Sequence, residues 1–257
     1  MSLGFNAPDT TIGWIANGGL LISKLDANDQ PVGGFFTVGQ ASSAVLALSS
    51  DKVEMPDMVY GTLGVAKSKV IKNSAEATIN LRSFSPEVME LALFGKVTED
   101  IAETGATAKA KAYKGRSIIV EGIIAGVTSI KVTGEDEPLV LGADYVVSNG
   151  SIYFPSTSSV EDGDIVDVVY DKAAVRRIEG MVNTGVNVMI VFDGVNLAES
   201  DTPVKVTYHK VALSPAAQRQ LLSSDYADQE IKGTLQVSRA VTGSGLSKMF
   251  KEEHVVA

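Results

Sequence analysis

The chain has 257 residues, 45% of them hydrophobic, and carries a formal net charge of −9 with no cysteine. That length and apolar content fit one large domain, or one domain with an insertion, and exclude a disordered polymer. The absence of cysteine excludes disulfides and thiolate metal sites and agrees with folding in a reducing cytoplasm.

The start, Met1-Ser2-Leu3-Gly4-Phe5-Asn6, lacks the basic and apolar regions of a signal peptide. No run of about 18 apolar residues occurs, so no membrane span is expected. Residues 12–25 and 34–50 read as strands around a turn at 26–34 rich in Asp, Asn, Pro and Gly. Residues 51–66 break the pattern, and Pro56, Gly61 and Gly64 make the stretch read as a long loop. It carries Val53, Met55, Pro56, Met58, Val59 and Tyr60. These apolar side chains need cover, either from the chain's own core or from a neighbouring subunit, where Met and Tyr are favoured.

Over 74–82 the pattern alternates, with Ala75, Ala77, Ile79 and Leu81 on one face and Glu76, Thr78, Asn80 and Arg82 on the other. Period two is a strand with one buried side. Ser85 to Phe94 is the clearest helix. Ser85 is the N-cap, Pro86 suits the first helical position, Glu87 complements the dipole and Gly95 closes the end. Val88, Leu91 and Ala92 form the stripe that docks on a sheet.

Residues 97–172 hold most of the negative charge and read as an inserted β-module, splitting a core formed by 1–96 and 173–257. Strands are expected at 117–124, 127–133, 144–148, 151–155 and 164–170, with Asn149-Gly150 as a hairpin turn and Glu161-Asp162-Gly163-Asp164 as another. Alternation resumes at 175–192, 203–213 and 226–239. In the last, Asp228, Glu230, Lys232 and Thr234 face away from Gln229, Ile231, Gly233 and Leu235. Ser214-Pro215 opens a single helical turn over 214–222, and 248–257 reads as a tail or arm.

No enzymatic constellation emerges. His209 lies in a strand and His254 near the end, and no spacing joins them to carboxylates as a metal site. Gly61 to Ser68 lacks phosphate-loop spacing, and Gly243-Ser244-Gly245 is not a nucleophile elbow. The runs Glu135-Asp136-Glu137 and Glu161 to Asp164 lack calcium-loop spacing and read as solvated turns. Asn149-Gly150-Ser151 matches a glycosylation sequon but serves the hairpin. Lys67, Lys69 and Lys72 form the one local basic group, and no nucleic-acid footprint is visible. No catalytic residue, cofactor or metal is expected.

Residues 35–95 resemble the N-terminal half of bacteriophage (siphophage-type) major tail tube proteins: a strand, a long loop, an alternating strand, then Ser85-Pro86-Glu87 leading to Leu91-Ala92-Leu93-Phe94-Gly95. Residues 186–250 resemble the C-terminal half, through Ile190-Val191-Phe192-Asp193-Gly194-Val195-Asn196, Leu213-Ser214-Pro215 and Lys248-Met249-Phe250. Residues 144–170 resemble the β-insertion often carried between them. The resemblance implies an all-β fold, mainly an antiparallel β-sandwich or barrel with one short flanking helix, plus the inserted module on the outer surface. It implies hexameric rings stacked as a tail tube in the virion, assembled in the host bacterial cytoplasm. The implied partners are copies of the chain itself and the tape-measure and tail-terminator or tip proteins. DNA would pass through without specific binding, since like charge discourages adhesion, and no membrane is involved. The 51–66 loop would contact a neighbouring ring. The polar faces Glu76/Thr78/Asn80/Arg82 and Asp228/Glu230/Lys232/Thr234 are the candidate lumen lining, and the sequence leaves open which points inward. Another ring-forming tail component, such as a terminator or connector, is the nearest alternative, followed by a glycan- or host-surface-binding module at 117–171.

Overall fold

The computed structural model describes residues 13–58 and 64–255. In chain order the elements are β1 (Ala16–Leu25), β2 (Pro31–Thr37), β3 (Ala41–Pro56), β4 (Val65–Leu81), α1 (Pro86–Ala92), β5 (Lys96–Asp100), β6 (Glu103–Lys111), β7 (Arg116–Ile119) and β8 (Ile124–Val132). They continue with β9 (Val146–Ser148), β10 (Ser151–Phe154), β11 (Ile165–Lys172), β12 (Val175–Glu179) and β13 (Asn187–Asn196), then a 3₁₀ turn (Leu197–Glu199), β14 (Thr202–Ser214), β15 (Gln229–Leu235) and β16 (Phe250–His254). The fold is all-β, with antiparallel ladders and one short helix. Two compact units form: residues up to Lys96 together with Ile178 onward, and Val97–Arg177.

The first unit is an eight-stranded antiparallel sheet in the order β2-β1-β13-β14-β15-β4-β3, with β16 also paired to β14. Its terminal strands, β2 and β3, are joined by residues 38–40 alone. Four residues' reach is at most about 15 Å, so the sheet must curl until its two ends are neighbours. The Val38 amide bonds the Leu20 carbonyl at 3.0 Å and the Arg82 amide bonds the Gln40 carbonyl at 2.9 Å, tying the crossing to both sides. The curled inner face is the core: Leu20, Ile22, Val38, Ile79, Leu81, Val188, Ile190, Val211 and Ile231, closed by Val88, Leu91 and Ala92 of α1.

Helix α1 begins as its sequence dictates, with the Ser85 hydroxyl accepting from the Val88 amide. Its end differs from expectation. Phe94, not Gly95, takes the left-handed position at φ 50, and the Gly95 amide returns to the Glu90 carbonyl at 2.8 Å. Gly95 is needed for proximity instead, because a Cβ there would sit 2.9 Å from the Glu179 carbonyl oxygen.

The second unit is built from two three-stranded sheets, β7-β10-β9 and β6-β11-β8. Between them lie Ile118, Ile130, Tyr145, Ile152, Phe154, Val166, Val168 and Tyr170. Asn149-Gly150 joins β9 to β10, with Ser148 opposite Ser151. Strand β6 has no counterpart among the expected strands. Its Ala106, Ala108 and Ala110 lie opposite Tyr170, Val168 and Val166, so small residues serve as strand formers where large partners fill the space.

Several expectations change. The expected strand 34–50 divides at the 38–40 crossing, and 175–192 divides into β12 and β13. Most of the described residues of the 51–66 loop are strand, since β3 runs to Pro56 and β4 starts at Val65, while residues 59–63 lie outside the described residues. The segment 214–222 forms no helix; its Ala216 amide is held by the Ala92 carbonyl at 2.8 Å and Arg219 Nη1 by Met89 Sδ at 3.3 Å. The expected tail contains β16, with Val204 opposite His254 and Tyr208 opposite Phe250.

Candidate assembly surface

The hairpin of β3 and β4 sets the geometry of this surface. Near its base β4 alternates, with Ala75, Ala77, Ile79 and Leu81 buried. Beyond Ser74 that alternation stops, and residues 47–56 and 65–73 are exposed on both faces. Nine residues of paired strand extend about 30 Å, so this is a two-stranded arm with water on every side. The ladder persists along it: Asp51 lies opposite Lys72, Val53 opposite Lys69, Met55 opposite Lys67 and Pro56 opposite Val65, and the Asp57 amide reaches the Gly64 carbonyl at 2.7 Å. Pro56 fits because β3 is an edge strand, where a missing N–H costs no ladder bond.

Of the apolar side chains read in 51–66, Val53, Met55 and Met58 stand 57%, 58% and 80% exposed. Val59 and Tyr60 lie outside the described residues. Val45, Leu48, Val65, Val70 and Ile71 add to the exposed apolar surface of the same two strands. An isolated hairpin is marginal in water, and a long apolar edge strand is a template for pairing with another chain.

The two polar faces read separately in the sequence are one surface. Glu230 lies opposite Asn80, Lys232 opposite Thr78 and Thr234 opposite Glu76 on adjacent strands β15 and β4. Arg82 Nε bonds Asp228 Oδ1 at 3.1 Å, and Lys232 pairs with Glu76, whose carboxylate raises the lysine pKa above its ordinary value. Ser43 continues this surface onto β3, accepting from Asn80 Nδ2 at 3.0 Å. All eight candidate lining residues therefore share one face, with both of its cations paired to carboxylates and a net charge of −1 left by Glu230, and with the apolar core behind it.

Among the described residues no cluster of three or more His, Asp or Glu is placed to hold a metal ion. The acidic turn at 161–164 serves the backbone, since Asp164 Oδ2 accepts from the Glu161 amide at 2.7 Å and Asp162 Oδ1 from the Lys114 amide at 2.8 Å. Of the second unit's three hairpin aromatics, Tyr145 and Phe154 are core and Tyr153 faces water. An open groove of about 840 Å³ in that unit is lined by Ile101, Ile123 and Val175, but its cations are already paired: Lys172 with Glu103 and Glu121, Arg176 with Glu99, Arg177 with Asp100. No helix among the described residues is long and apolar enough to cross a membrane.

Sequence reasoning missed the free edge of β3, because strand order is invisible in one chain. It also missed the anchor at Asp29. This carboxylate is 2% exposed, pairs with Lys210 Nζ at 2.7 Å and accepts the Arg239 amide at 2.8 Å.

Fold and surface define an all-β chain of two units, the first with an exposed edge and a projecting arm. The chain belongs to the family described as Protein of unknown function UCP028589, whose family model matches residues 14–252 and so spans both units. Comparison with curated proteins returns no match.

Proposed function

We propose that this chain is a non-catalytic structural subunit that assembles with copies of itself into a tube, in the manner of the bacteriophage major tail tube proteins its sequence resembles. The observation that carries this reading is the uncovered β3–β4 arm together with the unpaired edge of β3, both left unsatisfied in a single copy. Edge-to-edge pairing between subunits removes that liability, and contacts between unlike surfaces generate closed rings or open stacks. The joined polar face of β4 and β15 supplies a wet wall whose paired charges offer DNA no net attraction. In this reading the second unit decorates the outside.

Negative-stain electron microscopy of concentrated protein tests the proposal. Rings or tubes of uniform width are expected; a folded monomer at every concentration overturns it.

A further inference from the structure

The arm and the segment between β14 and β15 are complementary surfaces at opposite ends of one strand, and we infer that the arm of one copy docks on the 221–226 segment of the next. This rests on the assembly reading above and names the contact that would propagate it.

On one face of the arm Val53 lies opposite Lys69 and Met55 opposite Lys67, which makes an apolar pair flanked by two cations. Neither lysine makes an ion pair with the described residues, so both remain available to a carboxylate from outside. The segment offers the converse. Leu221, Leu222 and Tyr226 are 82%, 90% and 85% exposed, and Asp225 beside them pairs with no cation among the described residues. Apolar area and opposite charge therefore match on the two surfaces.

The contact cannot form within one copy. Lys67 to Leu81, the neighbour of Arg82, is fourteen steps along continuous strand, about 46 Å at the usual rise. Arg82 is bonded to Asp228, and the segment is held at its other end where Ala216 and Arg219 meet α1. Leu222 is six residues from Asp228 and reaches at most about 22 Å from it. Only a second chain can bring an arm there. Because the two surfaces differ and sit at opposite ends, each copy that receives one arm still presents its own, which is an open, head-to-tail contact.

The chain has no cysteine, so an introduced pair is unambiguous. Protein carrying both Met55→Cys and Leu222→Cys, oxidised under assembly conditions, is expected to give a disulfide-linked ladder running well past the dimer, while each single variant stops at dimer. In parallel, Lys67→Glu with Lys69→Glu is expected to raise the assembly threshold more than about tenfold, and adding Asp225→Lys to lower it again by about tenfold. Normal assemblies from the Lys→Glu variant, with no ladder from the cysteine pair, overturn this contact and leave the assembly reading standing. Wild-type protein that never assembles overturns both.

Discussion

Two titratable side chains of the first unit are nearly removed from water. His209 on β14 is 9% exposed, and burial, aided by nearby Lys251 and opposed by Glu253, holds its pKa below the ordinary imidazole value. Asp29 is held below the ordinary carboxylate range by the Arg239 amide first and Lys210 second, against the cost of burial. Both shifts mean that the unfolded chain binds protons before the folded one does as pH falls, so both remove stability on acidification. The His209 share is complete above the unfolded imidazole pKa of about 6.5 and lost as pH falls below it, while the Asp29 share goes only below about 3.9. Urea midpoints measured from about pH 8 to pH 3 should therefore fall in two steps, with His209→Gln removing the first. Asp29→Asn should cost about 3 kcal/mol at neutral pH and flatten the second step; an unchanged acid profile in both variants contradicts this. His209 was legible as a strand histidine outside any metal site, but not as a buried one. Asp29 was not, because a turn aspartate reads the same whether exposed or buried, and its partners lie 181 and 210 residues on.

Local periodicity revealed elements where one face is buried and failed where none is. The base of β4, α1 and β15 alternate or stripe because the core demands it, and each was readable. The arm has no buried face, so its Val, Met, Lys and Glu follow no core-driven alternation, and with Pro56 and Gly64 it reads as a loop. The 214–222 segment failed the other way: Ser214, Pro215 and the alanines favour a helix, but contacts to α1 fix irregular backbone. Since the arm contributes nothing to the core, it can be removed without unfolding the unit. Replacing residues 52–71 by Asn-Gly, which joins the opposed pair Asp51 and Lys72 with a hairpin turn, should leave stability within about 0.5 kcal/mol. The same variant should sediment as a monomer at concentrations where the wild type assembles. Assembly at the wild-type threshold would show that the arm is dispensable.

The two units have separate cores that share no residue, and the acidic block in the sequence coincides with the second of them. Hairpin signals marked the Asn149-Gly150 turn between β9 and β10, whereas β6 was hidden by its alanines. The order of strands in the eight-stranded sheet, and hence which strand is left with an open edge, comes from pairings up to 180 residues apart that no local signal encodes. That open edge is where the account stands or falls. Amide hydrogen exchange on dilute and on concentrated protein tests it most directly. The account predicts that the outward-facing amides of β3, which have no ladder partner in the dilute protein, become protected on concentration while β6–β11 do not change; identical exchange of these β3 amides in both samples, with assemblies visible in the second, would contradict it.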